Sequence, residues 1–325
     1  MASAPYLAPA WLPGGHAQTM WPLLIKGPLP RYRRERWTTP DGDFIDVDWM
    51  PSVEGAPCVV LFHGLEGSSR SHYARRLMAG TAARGWNGAV VHFRGCSGEP
   101  NRLARAYHSG DSAEIDWILR QMDRLGFAAL FVAGVSLGGN ALLKWLAEQA
   151  AAAGDLVAAA ASVSAPLDLA AANRVLSAGF NRVYARHFLR TLIPAAFAKK
   201  GKLPPTVDLR RAAAARTLAE FDDAVTAPLH GFAGAADYYA RSSAGPRLGT
   251  IAVPTLLLHA LNDPFLPAAA LPRADALPPS IVLETPRHGG HVGFVHGLPP
   301  GRVDWMPQRL LDHFAAHLPA TAGMR

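Results

Sequence analysis

One stretch, Phe131-Val132-Ala133-Gly134-Val135-Ser136-Leu137-Gly138-Gly139-Asn140, constrains the fold more than any other. Apolar residues run from Ala128 to Ala133, as in a buried strand, and Ala141 to Ala147 reads as a helix with apolar positions at Leu142, Trp145 and Leu146. Between them Gly134-Val135-Ser136-Leu137-Gly138 fits G-x-S-x-G in the strand–turn–helix setting of a nucleophile elbow. Such a serine stands in a strained turn with its hydroxyl exposed. Glycines at 134 and 138 leave room where side chains would strike the neighbouring strand and helix. The Leu137 N–H then lies at a helix start, where it can face a developing oxyanion. The motif alone also fits a glycine-rich turn with an incidental serine.

The surrounding pattern predicts the architecture. Pro57–Phe62, Gly88–Phe93, Ala128–Ala133 and Val157–Val163 are short apolar strands. Helical stretches alternate with them: Ser71–Arg84, closed by Gly85, and Asp111–Arg124, with Ile115, Ile118, Leu119 and Met122 on one face. This alternation predicts an α/β fold, with a mostly parallel sheet covered by helices on both faces. Ligands then bind beyond the carboxyl ends of the strands, where His63-Gly64, Arg94-Gly95 and Ser136 all fall. Ahead of this, Arg36–Thr39 and Phe44–Met50 predict a hairpin about Asp41-Gly42, with one face of the second strand buried. Residues 1 to about 35 read as an extension. Its first 30 or so are rich in Pro and Trp, extended and irregular, and must pack on something because exposed tryptophan is costly. From about 167 to 249 the alternation stops and aromatic helical patterns take over, which predicts a helical cap inserted over the strand ends. Strands return at Pro254–Ala260 and Ser280–Thr285, and a last helix spans about Met306–His317. The whole of 1–325 reads as a single domain.

A serine hydroxyl needs a histidine to take its proton and an acid to orient that histidine, in the chain order Ser, acid, His. Asp263, in Asn262-Asp263-Pro264 at a strand's carboxyl end, is the candidate acid. A local Asx-turn would look the same. His291, in Gly289-Gly290-His291-Val292-Gly293-Phe294, is the candidate base, with His288 and His296 as weaker rivals. The loop His63-Gly64-Leu65 supplies a second oxyanion donor through the Leu65 N–H, which joins that of Leu137. His63 is expected to be a structural hydrogen-bonder and Glu66 a loop anchor. No cofactor motif is evident. His288, His291 and His296 lack a fixed helical pair or a carboxylate at ligand spacing, so a metal site is not expected.

Composition bounds the setting. The formal net charge is +7, part of it in Arg31-Tyr32-Arg33-Arg34-Glu35-Arg36. Without a nucleic-acid motif that run reads as a solvated surface, which leaves peripheral lipid contact open and no nucleic-acid partner expected. Two cysteines, Cys58 and Cys96, make no disulfide framework and suit a reducing compartment. Met1–Tyr6 lacks the basic and apolar regions of an export signal, and no apolar stretch is long enough to span a bilayer, so a cytoplasmic protein is expected.

Taken together, the chain resembles the YheT-like hydrolases, α/β-hydrolase domain family 4. The matching stretches are His63-Gly64-Leu65-Glu66-Gly67-Ser68-Ser69, Gly134–Asn140, Phe221-Asp222-Asp223, Thr226–Phe232, Asp237-Tyr238-Tyr239, Asn262–Phe265 and Gly289–Phe294. The resemblance implies the α/β-hydrolase fold and a Ser136–Asp263–His291 triad. It also implies hydrolysis of carboxylic esters, of short to medium acyl length, through an acyl-enzyme. Acyl transfer to an alcohol by the same triad is the alternative; a non-catalytic binding protein on this fold is a further one. Asp222 and Asp223 read as structural or capping residues, with substrate binding as the other possibility. Physiological substrate and oligomeric state are left open.

Overall fold

The computed structural model describes residues 5–319. Met1 to Ala4, part of the stretch read as lacking an export signal, lie outside them. The strands are β1 (Arg33–Thr38), β2 (Phe44–Trp49), β3 (Cys58–Phe62), β4 (Asn87–His92), β5 (Leu130–Val135), β6 (Ala159–Val163), β7 (Thr255–Leu258) and β8 (Ile281–Glu284). They form one sheet in the order β1-β2-β4-β3-β5-β6-β7-β8. Only β2 opposes its neighbours; β4, β3 and β5 to β8 pair in parallel.

Side chains alternate across each strand, and this sorts the core into two layers. Val60, Phe62 and Val132 pack on one face under α3 (Ser112–Asp123) and α4 (Leu137–Gln149). Val59, Leu61 and Phe131 pack on the other, under α2 (His72–Ala83) and α11 (Trp305–Ala315). Strands β3 and β5 are buried on both faces, which is why they read as continuous apolar runs.

One expectation is corrected at the sheet's antiparallel edge. The alternation of β2 predicts one buried face, yet all six of its residues are buried, Asp46 and Asp48 included. The cause lies in the basic run, which supplies β1 while its arginines stay exposed, as its reading as a solvated surface expects. Arg34 stands opposite Asp48 and Arg36 opposite Asp46 in the ladder. Each guanidinium takes both carboxylate oxygens, at 2.7 and 2.9 Å for Arg34 and 2.8 and 3.0 Å for Arg36. Bidentate pairing covers the acidic face and offsets the charge of the run. Ser69 and His92 complete the Asp48 shell, at 2.6 and 2.9 Å.

The amino-terminal extension also differs from an irregular strip. It forms a short helix, α1 (Gly15–Met20), closed by a 3₁₀ turn at Trp21–Leu23. Trp11 and Trp21 donate their indole N–H groups to the Gly297 and Pro300 carbonyls and so dock it on the carboxyl-terminal loops. Between β6 and β7 every element is helical: α5 (Leu169–Leu176), α6 (Arg182–Ala198), α7 (Leu209–Ala214), α8 (Leu218–Phe221), α9 (Ala227–Leu229) and α10 (Ala235–Ser242). A π-turn at Asp222–Thr226 joins α8 to α9. Among the described residues no helix is long and apolar enough to cross a membrane.

Candidate active site

Ser136 sits between β5 and α4 with φ 53° and ψ −120°, a region that L-residues rarely adopt. The close packing around it explains the flanking glycines. A Cβ on Gly134 would lie 2.6 Å from the Gly138 carbonyl oxygen, and one on Gly138 2.5 Å from that of His63. Neither clash can be relieved without moving backbone, so the glycines hold helix α4 tight against β3 and β5 and fix the turn.

Three side chains from separate loops then meet. His291 Nε2 lies 3.0 Å from Ser136 Oγ, and His291 Nδ1 lies 2.9 Å from Asp263 Oδ2. A carboxylate can only accept, so Nδ1 carries the proton and Nε2 is free to accept from the serine hydroxyl. The Asp263 side chain is fully buried. Burial alone would raise its pKa, but the charge and hydrogen bond of His291, with the Phe265 N–H, hold it below the usual carboxylate value. Asp263 thus also makes the Asx-turn, through Oδ1 to the Phe265 N–H at 2.8 Å. The Phe265 ring stacks on His291 with centroids 4.1 Å apart and limits its rotation. His259 lies nearby, 3.8 Å from Asp263 Oδ2, too far for a hydrogen bond.

Two backbone N–H groups are open beside Ser136. Those of Leu65 and Leu137 donate to no protein acceptor among the described residues, Leu137 because it begins α4. The Leu65 loop is held from both sides. Tyr73 Oη accepts from the Gly64 N–H at 2.9 Å. Tyr107 Oη accepts from the Glu66 N–H at 2.9 Å and donates to the Glu66 carboxylate at 2.8 Å. Glu66 is therefore the anchor expected of it, with φ 55°. His63 donates from Nδ1 to the Gly64 carbonyl and accepts the Phe93 N–H at Nε2, while burial pushes its pKa down to about 3. It is a neutral structural hydrogen-bonder. The rival histidines lie apart from the serine: His296 pairs with Asp304 at 2.6 Å, and His288 is exposed. Among the described residues no group of three ligand-type side chains could hold a metal ion.

A cavity of about 230 Å³ opens over Ser136. Its walls are mainly apolar and come largely from the helices between β6 and β7, with Leu176, Phe188, Leu192 and Val225 among them. Asp222 borders it, half-buried and bonded to Thr226 and Tyr239 hydroxyls at 2.7 Å each; desolvation pushes its pKa up to about 6. Asp223 instead pairs with Arg211 and caps the Ala235 N–H. Both acids are occupied in holding the helical segment together, as their structural reading expects.

Sequence reasoning missed the support behind the histidine. Gln18 Oε1, on α1, accepts from the Gly289 N–H and from Asn262 Nδ2, at 2.8 and 3.0 Å. Thr19 Oγ1 accepts the His291 N–H at 2.8 Å, and Asn262 Oδ1 accepts that of Gly290 at 2.9 Å. One helical turn so ties the Asp263 and His291 loops together. The only signal in the sequence was a tryptophan-rich segment needing somewhere to pack. Gln18→Ala leaves the buried Gly289 N–H without an acceptor and takes one from the half-buried Asn262 amide, so it is expected to cost about 1–3 kcal/mol of stability. Urea unfolding should show that loss, and turnover of any substrate should fall by about tenfold through a looser histidine, since each 1.4 kcal/mol of lost positioning is a tenfold change. Unchanged stability and rate would leave α1 a bystander.

The architecture, with a strained serine at the β5–α4 turn and its histidine and aspartate on later loops, defines an α/β hydrolase. A family model described as alpha/beta hydrolase fold matches residues 57–316. The chain belongs to that superfamily and, within it, to the YheT-like family. It is 42% identical to YheT of Escherichia coli over 94% of this chain and 91% of that one. It is 28% identical to human phospholipase ABHD3 over 93% of this chain and 76% of the relative. It is 29% identical to medium-chain fatty acid ethyl ester synthase/esterase 2 of Saccharomyces cerevisiae, over 90% and 67%. Among solved structures, Pyrococcus furiosus esterase Pf2001 shares the fold at TM-score 0.56 and 16% identity, covering 98% of this chain and 99% of that one.

Proposed function

We propose that the protein hydrolyses carboxylic esters through a Ser136–His291–Asp263 triad and an acyl-enzyme. The observation that carries this reading is the unbroken row of hydrogen bonds from Asp263 through His291 to Ser136, beside two unengaged N–H groups. Ser136 Oγ attacks the ester carbonyl while His291 Nε2 takes its proton. The Leu65 and Leu137 N–H groups stabilise the tetrahedral oxyanion. Asp263 keeps the imidazole in the accepting tautomer and stabilises its charged form. His291 then protonates the leaving alcohol, and water repeats the cycle on the acyl-enzyme.

The helical segment between β6 and β7 serves as a cap within a single domain, and its apolar wall receives the acyl chain. The relatives named above include a phospholipase, which favours an acyl ester, and a medium-chain ester synthase/esterase, which favours medium length within the short-to-medium range proposed. The latter name also favours a second reading, transfer of the acyl group to an alcohol in place of water. A reducing, cytoplasmic setting suits the two free thiols, Cys58 and Cys96. p-Nitrophenyl esters of increasing acyl length test the reading. Turnover should pass through an optimum at short to medium chains and fall once the chain outgrows the cavity. Added ethanol should divert product to ethyl ester if acyl transfer operates. Folded protein that turns over no ester would overturn the proposal.

A further inference from the structure

The basic run that stands out in the sequence is largely neutralised in the sheet, so the excess charge must reside elsewhere. Between Asp168 and Asp208 there is no acidic residue, but there are seven cations: Arg174, Arg182, Arg186, Arg190, Lys199, Lys200 and Lys202. Three of these, Arg182, Arg186 and Arg190, repeat every four residues along α6 and so share one helical face. Arg216 joins them across a groove. None of the four guanidinium groups has an ion pair among the described residues. Glu220, close to Arg216 in the chain, is engaged by the backbone N–H groups of Arg216 and Thr217.

The same face is not purely polar. Val183 and Phe197 stand 53% and 42% exposed beside the arginines, whereas Phe180, just ahead of the helix, packs on His16 and Tyr184. Four unpaired arginines interleaved with exposed apolar side chains match an interfacial helix, in which cations meet headgroup phosphates and apolar groups enter the acyl boundary. A nucleic acid or an acidic protein would use the charge but give no reason for the exposed Val183 and Phe197. The opposite face of α6, through Phe188 and Leu192, walls the cavity over Ser136.

We infer that the outer face of α6 docks the protein on an anionic lipid surface, with Arg182, Arg186, Arg190 and Arg216 on the headgroups. The membrane then adjoins the helix whose inner face shapes the cavity. Docking does not require catalysis, so its test is independent of the proposed reaction.

The test is co-sedimentation of the full chain with vesicles of phosphatidylcholine alone and of phosphatidylcholine mixed with phosphatidylglycerol. Wild type should bind the mixed vesicles, release them as salt rises, and ignore the neutral ones. Arg182→Gln, Arg186→Gln and Arg190→Gln together should weaken partitioning about a hundredfold, and turnover of a soluble ester should be unchanged. The matching triple Lys variant keeps the charge and should bind like wild type, which separates lost charge from a misfolded helix. Arg31→Gln with Arg33→Gln should have no effect. Equal binding by the triple Gln variant, equal binding to neutral vesicles, loss of binding in the Lys variant, or loss on changing Arg31 and Arg33 would each overturn the assignment. So would a DNA duplex that displaces the vesicles at equal phosphate concentration, which would make the face a general polyanion site.

Discussion

Ser136→Ala is expected to abolish covalent labelling by a fluorophosphonate and to lower ester turnover by about a millionfold, the scale seen when a serine nucleophile is removed. The variant should fold. The positive φ of residue 136 strains serine and alanine alike, and both keep the Cβ, for which Gly64 leaves room: a Cβ on residue 64 would come within 3.1 Å of it. What disappears is the Oγ atom 3.0 Å from His291 Nε2 and nothing larger. Some acceleration over water should survive, because the Leu65 and Leu137 N–H groups and the apolar cavity are untouched. Intact-mass analysis gives the decisive readout: one adduct on wild type, none on the variant. An adduct on the alanine variant would place the nucleophile elsewhere. A well-folded wild type that takes no label and turns over no ester would turn the molecule into a binding protein built on a hydrolase fold.

The residues in the row were legible because each sits in a short local context with its own chemical signature. Gly134-x-Ser136-x-Gly138 encodes a backbone demand, and strand-end loops bearing Asp263 and His291 follow from the alternation of apolar runs. Relations between distant segments were less legible. The aspartates of β2 look like a solvent face in a strand pattern, and only the register that sets Arg34 and Arg36 opposite them makes that face an interior. Gln18 and Thr19 carry no signature at all, since a side chain holding a loop some 270 residues away looks like any polar residue on a short helix. Charge misled in a related way. Four arginines within six residues draw attention, yet two of them, Arg34 and Arg36, find partners across the ladder. Three arginines spaced by four look sparse until a helix lines them up.

Asp263→Asn is expected to lower kcat by about ten-thousandfold with little change in KM, as the equivalent change does in serine proteases. The geometry says why the loss should be chemical rather than structural. Asn can keep Oδ1 as the acceptor for the Phe265 N–H, so the Asx-turn survives. Its amide nitrogen then takes the place of Oδ2 and donates to His291 Nδ1. The imidazole must respond by carrying its proton on Nε2, where it faces Ser136 as a donor and can no longer take the hydroxyl proton. The carboxylate that would stabilise the imidazolium in the transition state is lost at the same time. His259 offers no substitute. Its ring nitrogens have no hydrogen-bond partner, and burial lowers its pKa and keeps it neutral. Fluorophosphonate labelling at Ser136 should persist but slow in step with turnover, and thermal unfolding should move little. A rate within about tenfold of wild type, on the scale of 1.4 kcal/mol, would reduce Asp263 to a turn-former and require another acid behind His291.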